Sequence, residues 1–429
     1  MRVLLSNVGC KLNQAELEAL GRAFKAAGHD LVDRLEVADV HVINSCTVTH
    51  EAARDSRRLA RRGRGWHQRL RTVVTGCHAT TQPEDVSAIP GVDMVVSNAD
   101  KPRLVELVEQ LFAAQPREPS VLGHGVLPGR TRAAVKIQDG CSVRCTFCIV
   151  PTARGGEVAR PSAEILAEAR RLVAAGAQEI ILTGVQISSY RSGGWNLPEL
   201  VEGVLAAAQV RRLRLSSLAP WRIGGRELTM WRDARLCRHV HLALQSGAAA
   251  TLKRMRRPIT PAAYADAVAR LRAAVPGVAV TTDVIVGFPG ESDDEFRESL
   301  AFVARMEFAR VHVFPFSPRP GTPAAALPDR LPASIVLARA REMRAVAAAA
   351  ERAFLAAQVG GRVEVLWERE RHGWWEGYTD TYVPVRAQAS GARPNTWAWV
   401  EVEAVEGRHV RGWLSPRLQR RSEAASAAM

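Results

Sequence analysis

Long apolar runs are missing from this 429-residue chain. No stretch reaches membrane-spanning length without charges, and the first ten residues turn polar too soon for the apolar region of a secretory leader. A cytoplasmic protein with no membrane partner is expected. Acidic residues are also short, 44 against 58 Lys plus Arg, which leaves a net charge of +14. That balance favours an acidic polymer as partner, nucleic acid first, over an acidic small molecule, unless it merely reflects the Ala and Arg bias of the composition. Beyond that bias there are no repeats or low-complexity blocks. Cysteines number only seven, and in a reducing compartment they read as metal ligands or core thiols rather than disulfides. What remains is ordinary for a globular protein of two or three domains, with 47% hydrophobic and 24% charged residues.

Six of the seven cysteines fall into two trios, and neither trio has an evident fourth member. Cys141, Cys145 and Cys148 stand in the run Asp-Gly-Cys-Ser-Val-Arg-Cys-Thr-Phe-Cys-Ile-Val-Pro. The C-x3-C-x2-C spacing lets three thiolates reach three irons of a cubane cluster and leaves one iron open. An open iron can chelate the amino and carboxylate groups of a small molecule and act as a one-electron reductant toward it. A structural zinc site is the bland alternative, but zinc wants four closed ligands in paired halves, and no second half is present.

The first hundred residues alternate apolar runs at 3–5, 37–43 and 72–75 with helical stretches at 14–27 and 51–62. This β-α-β-α-β rhythm predicts a parallel sheet. Cys10, Cys46 and Cys77 each lie just beyond one of these strands, so the three thiols should converge at one sheet edge as a second three-thiolate site. Glycines precede Cys10 and Cys77, where they would let the backbone approach a cluster. Three unrelated buried thiols, or zinc with His78 as fourth ligand, are the alternatives. Arg54, Arg57, Arg58, Arg61 and Arg62 recur at helical spacing and suit either phosphates or a solvated face.

Beyond a Pro- and Gly-containing stretch at 116–129, strands are expected at 134–138, 179–183, 212–216, 240–244, 278–285 and 309–314, separated by helices. Six βα units are too few for a closed barrel, so a partial one is expected, with its active face at the carboxyl ends of the strands. His241, on an apolar strand, reads as a satisfied core residue. An Ala-rich helix at 333–358 leads into a region of about five short alternating strands, a small antiparallel barrel of the OB type. That region holds six of the ten tryptophans, interleaved with arginines, as single-stranded nucleic acid binding requires. Trp367, Trp397 and Trp399 could equally be core. Trp374 and Trp375 are adjacent, so one of them must face outward.

The Cys141 run, with Phe147 before its last cysteine, resembles the signature of radical S-adenosylmethionine enzymes. Over nearly its whole length the chain resembles the methylthiotransferases. Gly-Cys-Lys-Leu-Asn-Gln-Ala-Glu from Gly9, Asn-Ser-Cys-Thr-Val-Thr from Asn44, the His312 run His-Val-Phe-Pro-Phe-Ser-Pro-Arg-Pro-Gly-Thr-Pro and Gly-Tyr-Thr-Asp-Thr-Tyr from Gly377 look most like the branch acting on threonylcarbamoyladenosine in tRNA. The resemblance implies an α/β chain of three modules: residues 1–115 with an auxiliary cluster, 127–355 as a partial (βα)6 TIM-like radical domain, and 356–418 as a TRAM RNA-binding barrel, with a tail at 419–429. It implies two [4Fe-4S] clusters, on Cys10, Cys46 and Cys77 and on Cys141, Cys145 and Cys148. One S-adenosylmethionine would then be cleaved to a radical that removes the C2 hydrogen of the modified adenosine, and another would supply the methyl of the methylthio group. Phe147, Gly184, Gln186, Gln245, Ile285 and Gly287 are implied to touch that cofactor, although Gln245 could instead satisfy loop amides and Gly287 simply shape a turn. Expected partners are tRNA carrying threonylcarbamoyladenosine, a flavodoxin- or ferredoxin-type electron donor and a sulfur donor, with a monomeric chain. Gln186, Ala219, Ala243 and Ala159 depart from the branch pattern, which touches the detail of substrate and cofactor binding rather than the reaction class. The rival readings are a different acceptor, isopentenyladenosine or a ribosomal protein, and a redox-sensing RNA-binding protein without catalysis.

Overall fold

The computed structural model of the chain describes residues 1–63, 70–112, 131–389 and 391–414. The stretch expected at 116–129 and the tail at 419–429 lie outside the described residues. The first sheet has five strands in the order Asp30–Val32, Arg2–Asn7, Val40–Ser45, Arg71–Gly76, Met94–Val96, all parallel. Its central strand, Val40–Ser45, is buried along its whole length and feeds two layers by alternation. Val42 packs with Val3, Val73 and Phe24 on one face, and Ile43 packs with Val74 and Ala60 on the other. The two outer strands span three residues each, too short to display a period of two, and the sequence pattern does not reveal them.

Strand order reverses between Arg2–Asn7 and Val40–Ser45. Such a switch point opens a crevice outside the carboxyl ends of the strands, because the flanking connections leave in opposite directions. Cys10 and Cys46 follow these two strands, and Cys77 opens the short helix after the next one.

Six parallel strand positions form the partial barrel. Arg132–Lys136, Glu179–Thr183 and Arg212–Leu215 make one run, and Ser217–Leu218, His239–Leu242, Ala279–Val286 and Arg310–Pro315 make the next. The third position is broken at Ser216, so the six expected strands appear as two sheets that share one bent strand. Alternation explains the two sides of the wall. Leu213, Leu215, Val240, Leu242, Val280, Val284 and Val311 belong to the large apolar core under the helices. The intervening positions are polar: Arg214, His239, His241, Thr281, Asp283, Arg310 and His312. Among them, Arg214 and Glu179 form a fully buried ion pair, Nε to Oε1 at 2.7 Å.

The helix Ala333–Ala356 carries the chain to a closed barrel of five strands, Arg362–Arg371, Trp374–Tyr378, Pro384–Gln388, Trp397–Glu406 and His409–Leu414. Trp367 and Trp375 are core, Trp374 is half-buried, and Trp399 and Trp413 are exposed. Trp397 is neither barrel core nor free. The guanidiniums of Arg211 and Arg212 lie over its ring at 4.4 and 4.3 Å, and its Nε1 donates to Gln178 Oε1 at 2.8 Å. It seals the seam to the central barrel.

The loop at 379–383 docks at the amino-terminal end of the central barrel. Arg214 donates to the carbonyls of Thr379 and Asp380 at 3.1 and 2.9 Å, and Arg238 pairs with the Asp380 carboxylate at 2.7 Å. Tyr382, held at φ +66°, places its hydroxyl 2.6 Å from Arg132 Nη1 and its ring under Lys11, Arg132 and Arg214. Burial raises its phenol pKa, but these three cations outweigh that and leave it below its ordinary value.

Candidate active site

The three loops carrying Cys10, Cys46 and Cys77 touch one another. A Cβ on Gly9 would stand 2.7 Å from Cys46 Cβ, and one on Gly76 would stand 2.4 Å from the Ser45 carbonyl oxygen. Both glycines are at positive φ, +104° and +98°. They are needed so that neighbouring loops can close on each other, a nearer cause than the approach to a cluster that the sequence suggested. Burial pushes the Cys46 thiol up to about 12, the nearby Cys77 and Cys10 thiols add to the rise, and the Arg154 guanidinium pulls it back down. Such a buried thiol gives up its proton readily only to a metal, so loading this trio releases protons. The chemistry fits an iron–sulfur cluster: three converging sulfurs, a cation to offset charge, and Asn98 Nδ2 3.9 Å from Cys77 Sγ. His78 is buried with its Nε2 unpartnered.

The second trio follows the strand Arg132–Lys136. Gln138 organises it: its Nε2 donates to the Gly140 carbonyl at 2.8 Å, and its Oε1 accepts from the amides of Val185 and Gln186 at 3.0 and 2.8 Å. One side chain thus ties the start of the Cys141 loop to the Gly184–Gln186 turn. Arg257 Nη1 lies 3.6 Å from Cys145 Sγ, with its ring-facing side over Trp221. The Cys148 thiol is raised by burial as Cys46 is. Here too the residues fit a cluster, with a guanidinium beside the sulfurs. Gly140, at φ +68°, is pressed so closely that a Cβ would come 1.8 Å from the Gly156 carbonyl oxygen. Gly140→Ala is expected to cost about 1–3 kcal/mol from backbone strain alone, plus the clash. Iron content after reconstitution should fall together with the thermal midpoint.

The two trios are joined by charge. Arg154, at the end of the short helix after Cys148, donates to Asn13 Oδ1 at 2.7 Å and to Glu16 Oε1 at 2.8 Å, both on the helix that Cys10 caps. Lys101 and Lys136 also reach the Glu16 carboxylate, at 2.6 and 2.8 Å. Glu16 closes the motif that starts at Gly9, but no motif points to Arg154, whose partners Asn13 and Glu16 stand more than a hundred residues away.

The remaining expected cofactor positions are distributed around the strand ends. Phe147 and Ile285 share an apolar cluster with Met255 and Phe288. Gln245 sits at φ +80°, with its amide donating to Asp283 O and its carbonyl accepting from Ile285 N, both at 2.8 Å. Gly287, at φ +74°, donates its amide to Glu291 Oε2 at 2.7 Å and faces Val336, which a Cβ would meet at 2.6 Å. Of the branch departures, Ala219 is buried with its amide on Ser188 Oγ, and Ala243 offers its carbonyl to Arg257.

A cavity of about 630 Å³ runs from Cys10 and Cys46 past Gly184 and down the barrel lumen to Tyr382. His241 lines it. Its ring is satisfied, by Asp283 Oδ2 at 3.2 Å and Thr281 Oγ1 at 3.0 Å, but it faces the lumen and not the core as expected. Ligand atoms of His241, Asp283 and His312 lie within 4.8 Å of one another. Burial lowers the pKa of His312, and burial with the nearby Arg214 lowers that of His239 well below the ordinary imidazole value, so both are neutral acceptors and donors at pH 7.

A parallel-strand partial barrel with a C-x3-C-x2-C loop at its active face defines a radical S-adenosylmethionine enzyme. Residues 135–303 match the Radical SAM superfamily, and residues 2–97 match the uncharacterized protein family UPF0004. The threonylcarbamoyladenosine tRNA methylthiotransferase MtaB of Bacillus subtilis is 36% identical over 89% of each chain. The tRNA-2-methylthio-N(6)-dimethylallyladenosine synthase of Cereibacter sphaeroides is 32% identical over 94% of this chain and 96% of its own. Among solved structures, the radical S-adenosylmethionine methyltransferase TsrM of Kitasatospora setae shares the fold, with a TM-score of 0.58 at 15% identity over 75% of this chain and 76% of that one. The chain belongs to the radical S-adenosylmethionine methylthiotransferases, in the threonylcarbamoyladenosine tRNA branch. Its cofactors are S-adenosylmethionine and [4Fe-4S] iron–sulfur centres. Among the described residues no helix is long and apolar enough to cross a membrane.

Proposed function

We propose that this protein replaces the C2 hydrogen of N6-threonylcarbamoyladenosine, on the 3′ side of the tRNA anticodon, by a methylthio group. The observation that carries the proposal is the shared cavity, in which the Cys10 and Cys46 loops and the lumen of the radical barrel open onto one space. In this reading Cys141, Cys145 and Cys148 hold one cluster, and Cys10, Cys46 and Cys77 hold the other. When bound, the clusters supply the electron that cleaves S-adenosylmethionine and an exchangeable sulfur for methylation. The chain's own residues position these groups. Gln138 and Gly140 fix the Cys141 loop, Arg257 and Arg154 offset thiolate charge, and Phe147, Gly184, Gln186, Gln245, Ile285 and Gly287 surround the cofactor.

The module division at 1–115, 127–355 and 356–418 belongs to the same proposal, with the closed terminal barrel as a TRAM domain. Exposed Trp399 and Trp413 suit base stacking there. The arginines of the helix His50–Arg62, which starts beside the cavity mouth, suit phosphates. A cytoplasmic monomer served by a flavodoxin- or ferredoxin-type reductant and a separate sulfur donor completes the reading. An isopentenyl-type acceptor is the second reading, because relatives named tRNA-2-methylthio-N(6)-dimethylallyladenosine synthase are 32–34% identical.

The test is anaerobic incubation of the reconstituted chain with dithionite, S-adenosylmethionine and tRNA bearing threonylcarbamoyladenosine, then mass analysis of nucleosides. The methylthio nucleoside appearing with deoxyadenosine is expected. Deoxyadenosine alone would move the acceptor elsewhere. Neither product, with iron loading verified, would favour a redox-sensing RNA-binding protein.

A further inference from the structure

We propose that the barrel lumen reads the threonylcarbamoyl group itself, with Arg310 as the partner of its carboxylate. This deepens the reading above and rests on it.

One strand supplies the argument. Arg310–Pro315 turns Arg310, His312 and Phe314 toward the cavity at a spacing of two. At about 3.3 Å per residue, these side chains span roughly 13 Å from mouth to floor. Phe314 is at the mouth, exposed, as is Val48 in the loop after Cys46. Two exposed apolar side chains beside the Cys46 loop suit the faces of a purine whose C2 must lie near that loop. On a purine, C2 and the N6 substituent are both on the Watson–Crick edge, so a base held at the mouth directs its N6 group inward.

Deeper in, the wall is polar and incompletely paired. The Arg310 side chain makes no hydrogen bond or ion pair among the described residues, and its Nε is shielded from solvent without a partner. Ser216 Oγ and His239 Nδ1, also on the cavity wall, are buried and unpartnered as well. Three such groups are costly unless something polar meets them. A threonylcarbamoyl group carries a urea, a hydroxyl and a carboxylate. Its N–H groups suit the Asp283 carboxylate, already paired with His241 at mid-depth, and its carboxylate suits the unpaired guanidinium below. An isopentenyl tail offers no polar atom and would leave all of these groups unmet. Sites built to hydrogen-bond a substrate reject analogues that lack the bonding groups far more strongly than apolar pockets reject a changed size.

The experiment measures binding of labelled anticodon stem-loops to the reconstituted full chain by fluorescence anisotropy, comparing threonylcarbamoyladenosine, its carboxyl methyl ester and isopentenyladenosine. The wild type should prefer the free acid over the ester about 10- to 100-fold. R310M should erase that preference, whereas R310K, which keeps the charge, should retain a preference. An equal affinity for acid and ester in the wild type overturns the proposal without needing any variant to fold. An undiminished preference in R310M overturns it too. Methylthiolation of the acid RNA by the wild type is scored alongside: if it occurs without acid-over-ester preference, only this inference fails, and if it does not occur, the functional reading fails.

Discussion

Cys141→Ala is expected to abolish deoxyadenosine formation, while Cys46→Ala keeps cofactor cleavage and loses the methylthio product. The two trios are built on different supports. The Cys141 loop is held by Gln138, by the Thr146 amide on the Met255 carbonyl at 3.0 Å, and by Arg257 beside Cys145, and none of these contacts involves Cys46. The Cys46 loop is held by Gly9, Gly76 and Ser56, whose hydroxyl accepts from the Cys46 amide at 3.0 Å. Removing even an outer-shell partner of a metal site typically costs 10–100-fold, so a lost sulfur ligand should bring the affected product below about one hundredth of wild type. Chromatography of deoxyadenosine and mass detection of the nucleoside separate the two outcomes. Equal loss of cleavage in both variants would end the division of labour between the trios.

The second large effect is expected at Glu16. Its carboxylate is 6% exposed and is shared by Lys101, Arg154 and Lys136, with Lys101 and Arg154 themselves 8% and 2% exposed. Burial alone would raise the Glu16 pKa, yet the three cations hold it well below the usual carboxylate range. Glu16→Gln leaves buried Lys101 with no carboxylate and Arg154 and Lys136 with only Asp139, and breaking a buried pair of this kind costs about 3–5 kcal/mol. A lower urea midpoint for the variant is the readout. The pH dependence has a definite sign. A carboxylate with a depressed folded pKa stabilises fully above its unfolded value near about 4.3 and loses that stabilisation as pH falls through the folded one. The gap between wild type and Glu16→Gln should therefore be widest at neutral pH and close on acidification below about pH 4. A gap that is constant with pH would mean that packing, not charge, is what Glu16 contributes.

Much of this was legible from residue patterns. The strand at 72–75 and the helix at 51–62 are found within a residue or so of their place because short apolar runs and arginines at helical spacing are local signals. The six cysteines stand out because they are few, three of them each just beyond a strand and three in one C-x3-C-x2-C run. Spatial strand order is not local, so the switch point that brings Cys10 beside Cys46 is invisible in a one-dimensional pattern. The lumen is written in the polar half of three strands. Arg-Leu-Arg-Leu at 212, His-Val-His-Leu at 239 and Arg-Val-His-Val-Phe at 310 alternate polar and apolar residues, and a strand with one polar face inside a barrel means a lined chamber. His241 lies on the polar half of this alternation and so faces the lumen, not the core that its apolar neighbours suggest. Neither the role of Arg154 nor that of Trp397, which reads as core or base contact, is visible in the sequence, since each depends on a partner more than a hundred residues away.

The docked loop at 379–383 has a consequence for how such enzymes diversify. Tyr382 belongs to the terminal barrel by chain connectivity and to the lumen of the central barrel by position. Exchanging that barrel for one with a different loop would open the chamber from below and strand the buried Arg214 without its carbonyl partners. The terminal barrel and the radical barrel are therefore not interchangeable cassettes: a change at 379–383 must be matched by one at Arg214.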